Sequence, residues 1–215
     1  MKGSHVKSTR VRVILAVVAA GAALTACSPS QVGAAAIVGD QRISNSELNA
    51  DVKEYEKALT TAGITRQQLQ IRGSIPQAVL ANLIVISQFD QLGARHGVTV
   101  TQAEVESFLA QVLQQRQGST REQLAVSIGV PPSDLDELVR ASLVEQKLMT
   151  KLGAGQDEAS QQAAAQKLSE EAKAVPVTRN PRYGENNPQP QAQDGSDFFI
   201  ENSRFGALSG SAGAQ

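Results

Sequence analysis

A mainly helical domain fronted by a short β-hairpin is the fold class the sequence predicts, and three observations predict it. Apolar side chains recur at helical spacing through most of residues 45–173. Capping boxes, Ser44-Asn45-Ser46-Glu47 and Thr101-Gln102-Ala103-Glu104, mark helix starts, the hydroxyl accepting from a backbone N–H that the carboxylate's residue supplies. Glycines at 63, 97, 129 and 153 stand where the periodic runs stop.

Residues 1–26 read as a secretory signal. Lys2, Lys7, Arg10 and Arg12 make a basic start, and Val13 to Leu24 form an apolar run. At about 12 residues that run falls short of the roughly 20 needed for a permanent membrane-spanning helix. Leu24, Thr25, Ala26 and Cys27 then read as a lipobox, with cleavage before Cys27 and lipid on its thiol. Two acyl chains on Cys27 would anchor firmly, since each buried CH₂ is worth ~0.8 kcal/mol and one chain holds only marginally. The expected location is therefore the extracytoplasmic face of the cell membrane. Cys27 is the only cysteine, so its lipidation leaves no thiol for disulfides or nucleophilic chemistry.

Residues 28–36 are small and polar, a leash from the lipid. Ala36-Ile37-Val38-Gly39-Asp40-Gln41-Arg42-Ile43 reads as a hairpin turning at Gly39-Asp40. A first helix follows over about residues 45–61, carrying Leu48, Val52, Tyr55, Leu59 and Ala62. Pro76 suits the first turn of a second helix, which ends at Gly97. That helix is apolar around most of its circumference (Val79, Leu80, Leu83, Ile84, Val85, Ile86, Phe89, Leu92), which marks a central element. Ile84-Val85-Ile86 would also suit a strand, but length and flanks favour helix.

A third helix runs from the Thr101 cap to about Arg116 on Val105, Phe108, Leu109, Val112 and Leu113. After Gly118-Ser119-Thr120 a short helix passes Leu124 and Ile128 to Gly129, and Val130-Pro131-Pro132 is an extended connector. Ser133 is expected to cap a long helix to Gly153, with Leu135, Leu138, Val139, Leu143, Leu148 and Leu152 along it. Beyond the Gly153-Ala154-Gly155 break, residues 156–173 form a polar helix whose one large apolar side chain is Leu168, so it should be peripheral. Residues 175–184 are extended, with a strand before Pro181. From 185 on the chain is a polar tail, largely without fixed structure, in which Asp197-Phe198-Phe199-Ile200 is an apolar island reading as a docking strand or short segment.

Removing residues 1–26 takes away four cations and no acid, leaving 16 Lys and Arg against 21 Asp and Glu. Such a surface excludes nucleic acid and a polybasic membrane patch. Seven aromatic residues, none of them Trp, leave little for stacking platforms. His5 lies in the signal and His96 at a helix end, where its charge suits the dipole, so Ser/His/Asp and Cys/His triads lack members and zinc or copper lacks ligands. No Gly-rich phosphate cradle occurs, and no cofactor is expected. The acidic groups Glu54 with Glu56, Glu104 with Glu106, Asp134-Asp136-Glu137 and Glu170-Glu171 read as solvated helix faces.

The lipobox followed by residues 36–48 resembles the opening of extracytoplasmic folding factors of the SurA/PrsA type. Asn180-Pro181-Arg182-Tyr183-Gly184 resembles their late Asn-Pro-Arg-Tyr/Phe-Gly segment. The resemblance implies a helical core beside a small sheet in which residues 36–43 meet residues 175–179. It divides the chain into signal peptide (1–26), lipidated linker (27–35), SurA-N-like chaperone domain (36–184) and tail (185–215). Relatives commonly carry a parvulin prolyl isomerase module with paired core histidines. Here only Gly153-Ala154-Gly155 interrupts the helices, which implies a chaperone-like domain without isomerase chemistry and no enzyme.

The expected function is a lipid-anchored holdase binding unfolded or newly exported polypeptides without a covalent step. Its candidate groove is Phe108, Leu109, Val112, Leu113, Leu135, Leu138 and Leu143, although each of these singly reads better as core. The alternative is a structural or adaptor lipoprotein for one envelope partner. Arg182 and Tyr183 are read as stabilising the sheet.

Overall fold

Chain reversal at Gly39-Asp40 pairs Ala34–Val38 (β1) with Gln41–Ser44 (β2) in the computed structural model, which describes residues 32–65, 68–69, 71, 73–116, 118–186 and 199–200. Gly39 has φ +57°, and a Cβ there would stand 2.1 Å from the Gln91 side-chain oxygen. Only glycine lets the turn sit so close, while Gln91 Nε2 donates to the Val38 carbonyl at 2.8 Å. The lipobox residues Leu24, Thr25, Ala26 and Cys27 lie outside the described residues.

Six α-helices follow among the described residues: α1 (Asn45–Ala62), α2 (Ile75–His96), α3 (Gln102–Gln115), α4 (Arg121–Ser127), α5 (Leu135–Lys151) and α6 (Glu158–Ala172). Both expected capping boxes form. Glu47 N–H donates to Ser44 Oγ at 3.1 Å, and Thr101 N–H to Glu104 Oε2 at 2.8 Å. Two more open α2 and α4, where Ser74 and Thr120 N–H donate to Gln77 and Gln123 Oε1 at 2.8 and 3.0 Å.

Ser133 does not cap α5. Its N–H and hydroxyl both go to Glu54 of α1, at 2.9 and 3.0 Å, and a 3₁₀ turn over Pro132–Asp134 leads into the helix instead. The connector is therefore only partly extended, and Val130 in it is fully buried.

Val177–Arg179 (β3) pairs antiparallel with β1, giving the order β2-β1-β3. Hairpin and late strand thus meet as the family resemblance implies, with the strand starting at 177. Val175 enters the core, and Pro176 accepts the Gly39 N–H at 2.8 Å. The segment that follows is a clasp containing a 3₁₀ turn, Pro181–Tyr183. Asn180 N–H and Nδ2 donate to the Ala35 and Ala34 carbonyls at 2.8 and 2.9 Å. Tyr183 Oη donates to Asn45 Oδ1 at 3.0 Å, and its carbonyl accepts from Gln77 Nε2 at 3.1 Å. Tyr183 therefore joins the clasp to α1 and α2 rather than to the sheet, and the Arg182 side chain is exposed. Within the segment read as a tail, Glu185–Asn186 (β4) pairs with Phe199–Ile200 (β5) in a separate two-stranded ladder.

Two apolar cores share α5. The larger joins the sheet (Ala35, Ala36, Val38, Ile43), α1 (Leu48, Tyr55, Leu59), α2 (Val79, Leu80, Ile84, Leu92) and the far half of α5 (Val144, Leu148). The smaller joins α3 (Val105, Leu109), α4 (Leu124, Ala125), Val130 and the first half of α5 (Leu135, Val139). Tyr55, fully buried in the larger core, donates to the carbonyl of Val126, an α4 residue of that same core, at 2.8 Å and so ties α1 to α4. Helix α6 covers α5 and α2 with Ala164 and Leu168 as its buried residues, which fits a peripheral element.

Candidate functional site

Helix α2 is not buried all round, and the side it leaves open defines the site. Leu83 and Ile86 face a cleft of about 570 Å³ whose walls are β2, the start of α1, α2, residues 98–100 and α5. The walls are held in place by local chemistry. Ser87 Oγ donates to Gln41 Oε1 at 2.8 Å, seating β2 on α2. Lys147 and Lys151 of α5 donate to the Thr99 and His96 carbonyls at 2.8 and 2.5 Å, fixing the α2–α3 connector. A Cβ on Gly93 would meet Val144 at 3.0 Å and the Val98 carbonyl at 3.2 Å, so this glycine permits the close approach of α5 at that end. Further along, small side chains at Ser87 and Ala141 leave the space between walls unfilled.

The floor is aliphatic. Ile43, Ala141 and Val144 are buried, and Leu83, Ile86, Val98 and Val100 are partly so. Charges stand around it: Arg42, Glu47, Asp90, Glu137 and Arg140. Arg140 is engaged, donating to Gln102 Oε1 at 2.7 Å and lying 3.8 Å from Glu137.

Behind the Glu47 and Glu137 end, carboxylates crowd together. Burial first, then the charges of Asp134, Glu47 and Glu54, pushes the Asp51 carboxyl up to about 6. Burial also raises Asp134, helped by Glu54, Glu47 and Glu137 and opposed by the Ser133 hydroxyl; its Oδ2 is buried without a hydrogen-bond partner. The expectation that Asp134 sits on a solvated face is therefore corrected: the turn into α5 draws its carboxyl in, while Glu54 beside it stays partly exposed. Glu104 contrasts with them. Hydrogen bonds from Lys147 and Thr101 hold it down to about 2.

The residues singled out from sequence fall elsewhere. Leu109 and Leu135 are buried in the smaller core, while Phe108, Val112, Leu113, Leu138 and Leu143 are partly buried against it. They come together, as a packed α3–α5 seam. His96 ends α2, away from the cleft, with Nε2 3.2 Å from Glu171 of α6. Among the described residues no group of three or more His, Cys, Asp or Glu is placed to hold a metal. The cleft residues Leu83 and Ile86 were visible in sequence as part of an unusually round apolar helix, but nothing there separated floor from core.

A family model described as the SurA-like N-terminal domain matches residues 3–149. The chain belongs to this family. No curated protein and no solved structure matches it. The SurA-like match takes in the hairpin and helices α1 to α4 and most of α5, hence every wall of the cleft. Helix α6 and β3 lie beyond it, although β3 completes the sheet. Membership fits a chaperone-like role in general terms.

Proposed function

We propose that this SurA-like protein is a membrane-anchored extracytoplasmic chaperone: a lipoprotein tethered through Cys27 that holds unfolded or newly exported polypeptides by non-covalent binding. The observation that carries the reading is the cleft beside α2, a groove with an aliphatic floor and a charged rim inside a SurA-like domain. Extended chain gains from such a site by burying apolar side chains, at about 25 cal/mol per Å² removed from water. Its own backbone polar groups meanwhile stay near solvent and the rim. No bond is made or broken, so release needs only dilution or folding of the client.

The test is light scattering of a denatured client diluted into buffer with the full chain in neutral detergent. Dose-dependent suppression is expected. No suppression at stoichiometric excess would end the reading and favour an adaptor for one folded envelope protein. Anchoring is tested separately: Cys27→Ser should move the protein from the membrane to the soluble fraction, and an unchanged distribution would contradict a lipid tether at this residue.

A further inference from the structure

The rim of the cleft carries more acid than base. Its rim holds the carboxylates of Glu47, Asp90 and Glu137 against the guanidiniums of Arg42 and Arg140. Glu137 lies seven residues before Val144, the α5 residue that meets Gly93, and so stands about 10 Å along α5 from that contact, where it shares the cleft rim with Glu47. Arg140 lies 3.8 Å from Glu137 and so offsets part of its charge, leaving three rim carboxylates against two guanidiniums. Toward the other end Asp90 stands one turn before Gly93 and Ala94, and the lining beyond it, Val98 and Thr99, is uncharged. The eleven-residue step from Leu83 to Ala94 covers about 16 Å of helix. That accommodates about five residues of extended chain at roughly 3.3 Å each.

Resting on the chaperone reading of this same site, we propose that the cleft selects extended segments in which a short aliphatic run is flanked by Lys or Arg, the cation lying at the Glu47–Glu137 end. Long basic side chains suit such a position, because the methylene stem lies on the apolar floor while the head reaches the carboxylates. An acid-flanked run of equal hydrophobicity is rejected by like charge at the same place. The excess of acid over base in the exported chain as a whole reinforces the bias in the approach to the cleft.

The experiment uses the full chain in neutral detergent and two fluorescent peptides with one aliphatic core, flanked by Lys in one and by Glu in the other. Anisotropy titrations at low salt should give the Lys peptide an affinity higher by about 5- to 10-fold, a gap that narrows as salt screens the rim. In Glu47→Gln/Glu137→Gln the gap should close. The α1 cap survives that change, since Gln serves in a capping box. Glu56→Gln/Glu158→Gln removes the same charge from exposed sites outside the cleft and should leave the gap intact. Equal affinity for both peptides, or an equal response of the two double variants, would overturn the selectivity while leaving client binding standing. Binding of neither peptide would overturn both.

Discussion

The α3–α5 seam and the α2–α5 cleft are made of the same kind of side chain, yet one is shut and the other open. In the seam Val105, Leu109, Leu135 and Val139 interlock, and polar bridges cross above them: Lys147 to Glu104 at 2.6 Å, Gln102 to Asp136 at 3.0 Å, and Arg121 to Asp136. In the cleft, Gly93 admits α5 closely at one end, while Ala141 on α5 and Ser87 on α2 are too small to fill the rest. Apolar periodicity shows which face of a helix avoids water. The volume of what stands opposite decides whether that face becomes core or groove.

The largest expected effect breaks the seam alone. Leu109→Ala deletes a buried side chain and should cost about 2–5 kcal/mol in chemical denaturation. Client affinity per folded molecule should be unchanged, because the cleft does not use this residue. Ile86→Asp is the converse: it should abolish client binding with far-UV circular dichroism preserved. If the Leu109 variant lost affinity and the Ile86 variant kept it, seam and cleft would have exchanged roles.

Next comes the tie between α1 and α4. Tyr55→Phe removes the shorter of two donors to the Val126 carbonyl, the other being Gly129 N–H at 3.3 Å, and should lower stability by about 1 kcal/mol. A loss below a few tenths would mean that the hydroxyl contributes little to joining α1 and α4.

Two carboxylates should then respond to pH with opposite sign. Asp51 goes from 3.8 in the unfolded chain to about 6, so folding takes up its proton. Its contribution is fully present below about 3.8 and is lost as pH rises through about 6. Two pH units would be about 3 kcal/mol, but this group is partly exposed, and about 1 kcal/mol is the realistic size. Asp51→Asn should match the wild type near pH 3 and exceed it by about that amount at pH 8. A variant no more stable at pH 8 would deny the crowding behind the cleft.

Glu104 gives the smallest effect. It is held near 2, so its stabilisation exists above 4.5 and fades as pH falls toward 2. Glu104→Gln should be slightly less stable than the wild type at pH 7, less so at high salt, and equal to it at pH 2. An unchanged difference from pH 7 to pH 2 would mean that the seam's bridge is not ionic.

Much of the fold was legible because its signals are local. The Ser44 and Thr101 boxes, the Gly39-Asp40 turn and the glycine stops each act within a few residues, and each appears where the sequence places it. The Ser74-x-x-Gln77 and Thr120-x-x-Gln123 boxes were equally local, but Gln is a weaker cue than Glu. Pairing of β3 with β1 came from the resemblance, since nothing in residues 177–179 names a partner far earlier in the chain. The capture of Ser133 by Glu54 was illegible for the same reason: the two are 79 positions apart, and only packing reveals which donor wins. The site suffered most. Leucines on α3 and α5 looked like a groove because the residues filling it lie on each other, whereas the open face of α2 looked like core.

The most direct measurement is site-specific photocrosslinking to a denatured client. A benzophenone amino acid would replace Ala94, on the cleft wall, or Val112, on the α3–α5 seam, in the full chain. Capture from position 94, with little from 112, is the expected result. Capture from 112 alone would move the binding surface to the seam, and capture from neither would contradict client binding by this domain.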